Sequence, residues 1–316
     1  MFSDYFFREK LQNKFPVLRN FKNTVVNRYR KFKSNYGKKI LDNIEGNQLI
    51  GELIASNNPL MIARLGATEL ACVVEYLEKR EKGKKWSDSI KKRMSTLSGF
   101  FPATDDMLDR FSVEFLEHVS NVDVMGIWYN PKEDKICRNY CPNASYVALK
   151  ALEPYYVSDP WSQYLANRKV LVIHPYDETI TSQFINKRKL LFNNEKVLPP
   201  FELSTIKAVQ SIANNKTPFK NWFEALEYMC DEITKKDFDI AIIGAGAYGL
   251  PLASFVKNMG KQAVHMGGAT QILFGIKGKR WDSHEFISKL YNEHWVRPSI
   301  KDIPKNYKDV EGGCYW

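Results

Sequence analysis

The chain has 316 residues, 44% of them hydrophobic and 13% aromatic, which describes one large or two small globular domains and argues against a disordered chain. Lys and Arg number 46 against 36 acidic residues, and the net charge of +10 favours an anionic partner: nucleic acid, anionic lipid or a phosphorylated small molecule. Five cysteines, an odd number in a long chain, argue against a disulfide scaffold and for a reducing, cytoplasmic setting. Cys137 and Cys141 have no second pair nearby to complete a zinc site, no apolar run reaches membrane-spanning length, and no signal peptide is evident.

Residues 1–40 carry eleven cations from Arg8 to Lys39 against only Asp4 and Glu9, interleaved with Phe2, Phe6, Phe7, Leu11, Phe15, Phe21 and Phe32. Such a basic amphipathic segment reads either as an element lying on an anionic membrane or as a helix pair packed on the domain with a solvated basic face. Nucleic acid is the weaker partner, because no known binding module accompanies the charge. The spacing then predicts a helix over 42–55, a strand over 59–65 (PLMIARL) and a helix over 70–79. Arg64 at the strand end and Glu69 in the first helical turn could both face a cleft at the sheet's carboxyl edge. Equally, Glu69 could only complement the helix dipole, with Thr68 as the cap.

Further helices are expected over 87–98 and 104–118, then a strand over 123–128 ending in Trp128, Tyr129 and Asn130. Residues 131–160 read as irregular with short helices. A strand over 169–174 (KVLVIH) ends at His174, a position shared by core and site residues. Asp177, Glu178 and Thr179 stand as capping residues for a helix to 189; Glu202–Thr205 is expected to lead into a helix ending near Ala213, and 219–235 to form a long amphipathic helix.

The most informative stretch follows. An apolar run over 238–243 is punctuated by Gly244-Ala-Gly246-Ala-Tyr248-Gly249, a helix is expected over 250–259 with Gly260 as its cap, and a second strand over 262–266 runs into Gly267-Gly268. Glycines between a strand and a helix let backbone N–H groups approach a phosphate, although they also serve simply to make a tight turn. His265 and Met266 stand where a dinucleotide fold would place a ribose-binding acid, which disfavours NAD(P). The loop from Gly275 to Trp281 adds Lys277, Lys279 and Arg280, suited to a pyrophosphate or to solvent. Strands near 60, 123, 169, 238 and 262, each followed by helix or loop, predict an α/β fold with a Rossmann-like, doubly wound, mostly parallel sheet. The aromatic terminus Cys314-Tyr315-Trp316 is expected to fold back on the domain.

Two of these motifs, in order and spacing, resemble bacterial GT-D-type glycosyltransferases, also known as domain of unknown function 1792. Arg64-Leu-Gly66-Ala-Thr68-Glu69 is similar to the family's R-[FL]-G-D-x-E segment, while Gly244–Gly249 with His265-Met-Gly267-Gly268 looks like its nucleotide-binding half. The resemblance runs from about residue 46 to the end, which divides the chain into a basic helical extension (1–45) and a catalytic domain (46–316). It implies transfer of a sugar from a nucleotide-diphosphate sugar, UDP-linked, to a glycan or lipid-linked glycan acceptor in polysaccharide synthesis, in the cytoplasm at the inner face of the plasma membrane. A non-catalytic nucleotide- or polyanion-binding module is the alternative.

On this resemblance Glu69, Arg64 and His265 are the catalytic candidates. Gly66, Thr68, His174, Gly244, Gly246, Tyr248, Gly249, Gly267, Gly268, Gln271, Lys277, Lys279 and Arg280 are the candidates for holding the nucleotide sugar. The family's Asp-x-Glu helps to bind a divalent cation, Mg²⁺ or Mn²⁺. Here Ala67 replaces the Asp and only Glu69 remains, so metal dependence is an open expectation.

Overall fold

The computed structural model describes residues 30–316. The expected membrane-surface segment falls largely on residues 1–29, outside the described residues. After a short helical turn come β1 (Ile40–Leu41), α1 (Asn43–Ala55), β2 (Leu60–Arg64), α2 (Ala67–Lys82), α3 (Asp88–Leu97), α4 (Asp105–Ser120) and β3 (Val124–Ile127). Then follow α5 (Glu133–Tyr140), β4 (Ser145–Ala148), β5 (Lys169–His174), α6 (Asp177–Leu191), β6 (Glu202–Lys207) and α7 (Trp222–Thr234). The chain ends with β7 (Ile240–Ile243), α8 (Gly249–Asn258), β8 (Gln262–His265), α9 (Thr270–Leu273) and a tail of short 3-10 turns.

All eight strands are parallel, in the order β1-β4-β3-β2-β8-β7-β5-β6. Parallel strands covered on both faces are apolar throughout, and β7 (IAII) and β5 (KVLVIH) owe their form to that. Alternate residues enter separate cores. Met61 and Ala63 face a layer built from α2, α3, α4, α7 and α8, and Leu60 and Ile62 face one built from α1, α6, α9 and the tail. The α/β, doubly wound class is therefore as expected.

Local chemistry fixes the element ends. Asp42 caps α1, accepting from the Ile44 and Glu45 amides, while the Glu45 carboxylate accepts the Asp42 N–H, a complete capping box. At α2 the cap residue is Gly66, with no side-chain cap, so Thr68 lies inside the helix and does not cap it.

Three strands escape the sequence reading. β4 lies within the stretch expected to be irregular, β6 replaces the start of an expected helix, and β1 has two residues. β1 and β6 are the sheet's edges, and the edge position leaves β6 mostly half-exposed, so it lacks an apolar run. The boundary drawn at residue 45 falls inside α1. Residues 30–45 are built into the domain, since Tyr36 is buried and donates its hydroxyl to Glu133 Oε2 at 2.9 Å, and β1 pairs with β4. Among the described residues no helix is long and apolar enough to cross a membrane.

Candidate functional site

The connection from β5 runs outward to β6, whereas that from β7 runs the opposite way to β8. Diverging connections from neighbouring strands open a crevice at their carboxyl ends. A cleft of about 170 Å³ lies there, lined by residues at or after the ends of six strands: Arg64 and Gly66 to Glu69 at β2, Trp128 at β3, His174 to Tyr176 at β5, Val209 to Ile212 at β6, Gly244 to Tyr248 at β7, and His265 with Gly268 at β8. The fold thus brings the two motifs, nearly 200 residues apart, to one place.

The three glycines of the turn do different work. A Cβ on Gly244 would stand 2.6 Å from the His174 ring and 2.8 Å from both the Gly267 carbonyl and Thr270, so its hydrogen permits close packing. One on Gly249 would meet His265 Cε1 at 2.1 Å. Gly246 alone is exposed, with φ +55° and nothing within 4 Å of where its Cβ would be; there the backbone is open to a ligand.

Arg64 and Glu69 supply charge. The Arg64 guanidinium carbon lies 5.0 Å from the centre of the Trp128 ring, and among the described residues Arg64 makes no ion pair. Glu69 is 9% exposed, and its carboxylate turns back over Gly66, where a Cβ would lie 1.9 Å from Oε2. It too makes no hydrogen bond or ion pair among the described residues. A cation and a carboxylate facing one cleft without partners are set up to meet a ligand rather than each other. Ser98 adds a buried hydroxyl with no hydrogen-bond partner to the same wall.

The histidines are packed. Burial lowers the His174 pKa to about 3, and its Nδ1 accepts the Tyr176 amide at 3.0 Å. Burial, reinforced by the Arg64 charge and opposed by the Ile243 carbonyl 3.3 Å from Nδ1, brings His265 to about 3 as well. So weak a base at neutral pH carries protons poorly. In place of the catalytic role expected of His265, its ring is a neutral wedge between strand and Gly249. Tyr248 is likewise a packing residue, stacked on Trp222 at 4.8 Å with its hydroxyl 3.0 Å from Ser211 Oγ.

The cationic loop divides. Arg280 lines the cleft, but Lys277 and Lys279 do not reach it. The Lys277 ammonium lies 5.3 Å from the Tyr291 ring centre, and that of Lys279 donates to the Gly312 carbonyl at 3.0 Å. The two lysines expected at the diphosphate are thus turned to other contacts, with Tyr291 and the Gly312 carbonyl, and do not line the cleft. Gln271 borders the cleft, yet its amide nitrogen faces the carbonyls of Ile276, Lys277 and Tyr315 at 3.2–3.3 Å, bracing the tail. Gly267, with φ +63°, packs under Arg64, and Gly268 packs against Tyr315. Thr68 borders the cleft beside exposed Ala67.

The tail was expected to fold back, but not to build the site. Val310, Glu311, Tyr315 and Trp316 all line the cleft. The aromatic character of Tyr315 and Trp316 was legible; the destination of the tail depends on pairings such as Arg280 N–H to the Cys314 carbonyl, 2.9 Å, which no local pattern encodes.

No family model and no curated protein matches this sequence. Among solved structures the chain is similar to a selenomethionine-substituted structure of domain of unknown function 1792, at 11% identity and a TM-score of 0.40, over 84% of this chain and 93% of that one. The chain resembles domain of unknown function 1792. A second solved structure, described as "The highly conserved domain of unknown function 1792 has a distinct glycosyltransferase fold", is 13% identical with a TM-score of 0.38, over the same shares of the two chains.

Proposed function

We propose that this chain is a glycosyltransferase that moves a sugar from a nucleotide-diphosphate sugar, UDP-linked, to a hydroxyl of a glycan or lipid-linked glycan in cell-surface polysaccharide synthesis. The observation that carries the proposal is the meeting of Arg64, Glu69, Gly246 and Arg280 in one cleft at the carboxyl edge of a parallel sheet. Cations and open backbone N–H groups suit a diphosphate, and a free carboxylate suits a reacting hydroxyl.

In the reaction, the bond between the sugar's anomeric carbon and the diphosphate breaks while the acceptor oxygen bonds to that carbon. The acceptor's proton passes to Glu69. Charge gathers on the departing diphosphate, where Arg64 and Arg280 oppose it; removing one such preorganised donor costs about 3–4 kcal/mol of transition-state stabilisation. A divalent cation fits these residues only in part. Among the described residues no three His, Cys, Asp or Glu converge, and Ala67 offers no ligand. As the alternative to serving as the base, Glu69 would hold Mg²⁺ or Mn²⁺ jointly with the ligand's phosphates, the ion then supplying further neutralisation of the leaving group.

Ala67 favours a second reading, a nucleotide-binding module without turnover. Donor hydrolysis and transfer measured over a panel of nucleotide sugars, with Mg²⁺, Mn²⁺ and chelator, separates the two. Turnover lost in Glu69→Gln with donor binding retained is the expected result; binding without turnover, indifferent to that change, means the module.

Peripheral attachment to an anionic membrane through residues 1–40 is part of the proposal. Phe32, 89% exposed between Lys31 and Lys33, is the described residue that supports it. Because Tyr36 belongs to the domain, the test is deletion of residues 1–29: unchanged partition onto phosphatidylserine vesicles would remove the membrane from the proposal.

A further inference from the structure

We infer that Glu311 occupies, on Arg280, the place that a phosphate of the incoming ligand takes, so that the C-terminal tail is an exchangeable wall of the anion site. This rests on the glycosyltransferase reading for the identity of the nucleotide, but the exchange of anions stands on the geometry alone.

Arg280 and Glu311 both line the cleft, and the Arg280 Nη2 donates to Glu311 Oε2. The same guanidinium lies 4.7 Å from the centre of the Tyr315 ring and 3.2 Å from Cys314 Sγ. The tail therefore orients the arginine from three sides, and only one of those contacts is anionic. Arg64 lines the same cleft, and its charge, like that of Arg280, acts on the Tyr315 hydroxyl. The cleft thus holds two guanidinium groups, the one at Arg64 without an ion pair among the described residues, its charge felt by the Glu153 carboxyl, and the one at Arg280 paired with a carboxylate from its own chain.

The carboxylate is held in a conformation that side chains rarely adopt. Glu311, Gly312 and Gly313 have φ of +47°, +70° and +84°, three left-handed residues in succession. Glycine adopts this region freely and glutamate does not, so the backbone that presents Glu311 is strained. The pair is also wet: the Glu311 side chain is 57% exposed and that of Arg280 34%. Exposed ion pairs contribute little, whereas a phosphate offers a guanidinium two parallel charge-assisted hydrogen bonds. A diphosphate spanning Arg64 and Arg280 would displace the Glu311 carboxylate and leave the rest of the tail seated, because Trp316 is anchored separately through its Nε1–H to the Asp302 carbonyl at 3.0 Å.

The experiment is a calorimetric titration of the full chain with UDP and, separately, with inorganic pyrophosphate. It compares the wild type, Glu311→Gln, Glu311→Ala, Arg280→Gln and the Arg280→Gln/Glu311→Gln pair. Removing the competing carboxylate is expected to tighten both ligands about threefold, the order of an exposed ion pair. Arg280→Gln is expected to weaken them about tenfold and to abolish the effect of Glu311→Gln, because coupled residues are not additive. Measurable wild-type binding that neither Glu311 variant tightens overturns the inference, as does tightening that persists without Arg280. If pyrophosphate responds as expected while UDP does not bind, the exchange stands and the nucleotide reading falls. If neither ligand binds any variant, both fall.

Discussion

Gly267 lies so close beneath Arg64 that a methyl group on it would stand 2.4 Å from Nη2 of the arginine. Its φ of +63° adds a second reason for glycine. Gly267→Ala should therefore cost about 1–2 kcal/mol from the left-handed backbone alone and also push the guanidinium off the Trp128 ring. The expected outcome is a lower denaturation midpoint together with weaker pyrophosphate binding. Arg64→Gln, measured beside it, should lose the binding and keep the midpoint. If the alanine variant binds pyrophosphate like the wild type, Arg64 does not face the anion.

Trp128 is 40% exposed at the end of β3 and carries Arg64 over its ring at 5.0 Å. A cation over an exposed ring is worth about 0.5–1 kcal/mol. Trp128→Ala should thus weaken anion binding about threefold by loosening Arg64, with little effect on stability because the ring is not core. Trp128→Phe should restore most of the loss. Titration of the three proteins with pyrophosphate checks this; equal losses in both variants would mean that the indole N–H, and not the ring face, is what matters.

The loop bearing Trp128 hangs on one buried carboxylate. Glu133 is fully buried, and its Oε2 accepts the Trp128 and Asn130 amides at 3.0 and 3.2 Å and the Tyr36 hydroxyl at 2.9 Å. Burial raises its pKa from 4.5 to about 7, although those hydrogen bonds pull the other way. The folded state therefore holds a proton that the unfolded chain releases, and the sign follows: Glu133's contribution is most favourable below pH 4.5 and declines as pH rises to 7. The shift corresponds to about 3 kcal/mol. In Glu133→Gln this component disappears, so stability measured by denaturant between pH 4.5 and 7 should fall less steeply with pH than in the wild type. Parallel pH curves for the two proteins would mean that the carboxylate is already ionised in the fold.

How far the sequence reveals this molecule depends on where each residue gets its partners. β5 and β7 were legible because strands covered on both faces are apolar runs, and α1 because its apolar residues recur at helical spacing. β6 was not, because an edge strand with one packed neighbour carries no such run. Of the residues that line the cleft, Arg64, Glu69 and Gly246 were singled out from strand-end and turn chemistry. Lys277 and Lys279 were misplaced, since a sequence names charges in a loop but not the side from which they leave. Glu311 and Tyr315 were missed because the tail reaches the cleft through backbone pairings with residues more than 30 positions away.

The last prediction separates the glycines of the turn. Gly249→Ala would drive a methyl into the His265 ring, which β8 holds at 3% exposure and which cannot withdraw without opening the strand end. Gly244→Ala would do the same to His174, the Gly267 carbonyl and Thr270. Both should lower stability by about 1–3 kcal/mol as overpacked sites do. Gly246 differs, because its Cβ would meet nothing and only the left-handed backbone, about 1 kcal/mol, opposes alanine. Its methyl would instead occupy open space at a residue that lines the cleft. Gly246→Ala should therefore lose stability only through its backbone and bind UDP and pyrophosphate at least tenfold more weakly, since a methyl at the cleft wall would hinder a charge-assisted hydrogen bond to the backbone. Melting curves and titrations on the three variants test the division directly. A Gly246→Ala protein that binds normally would show that the anion does not rest on this turn.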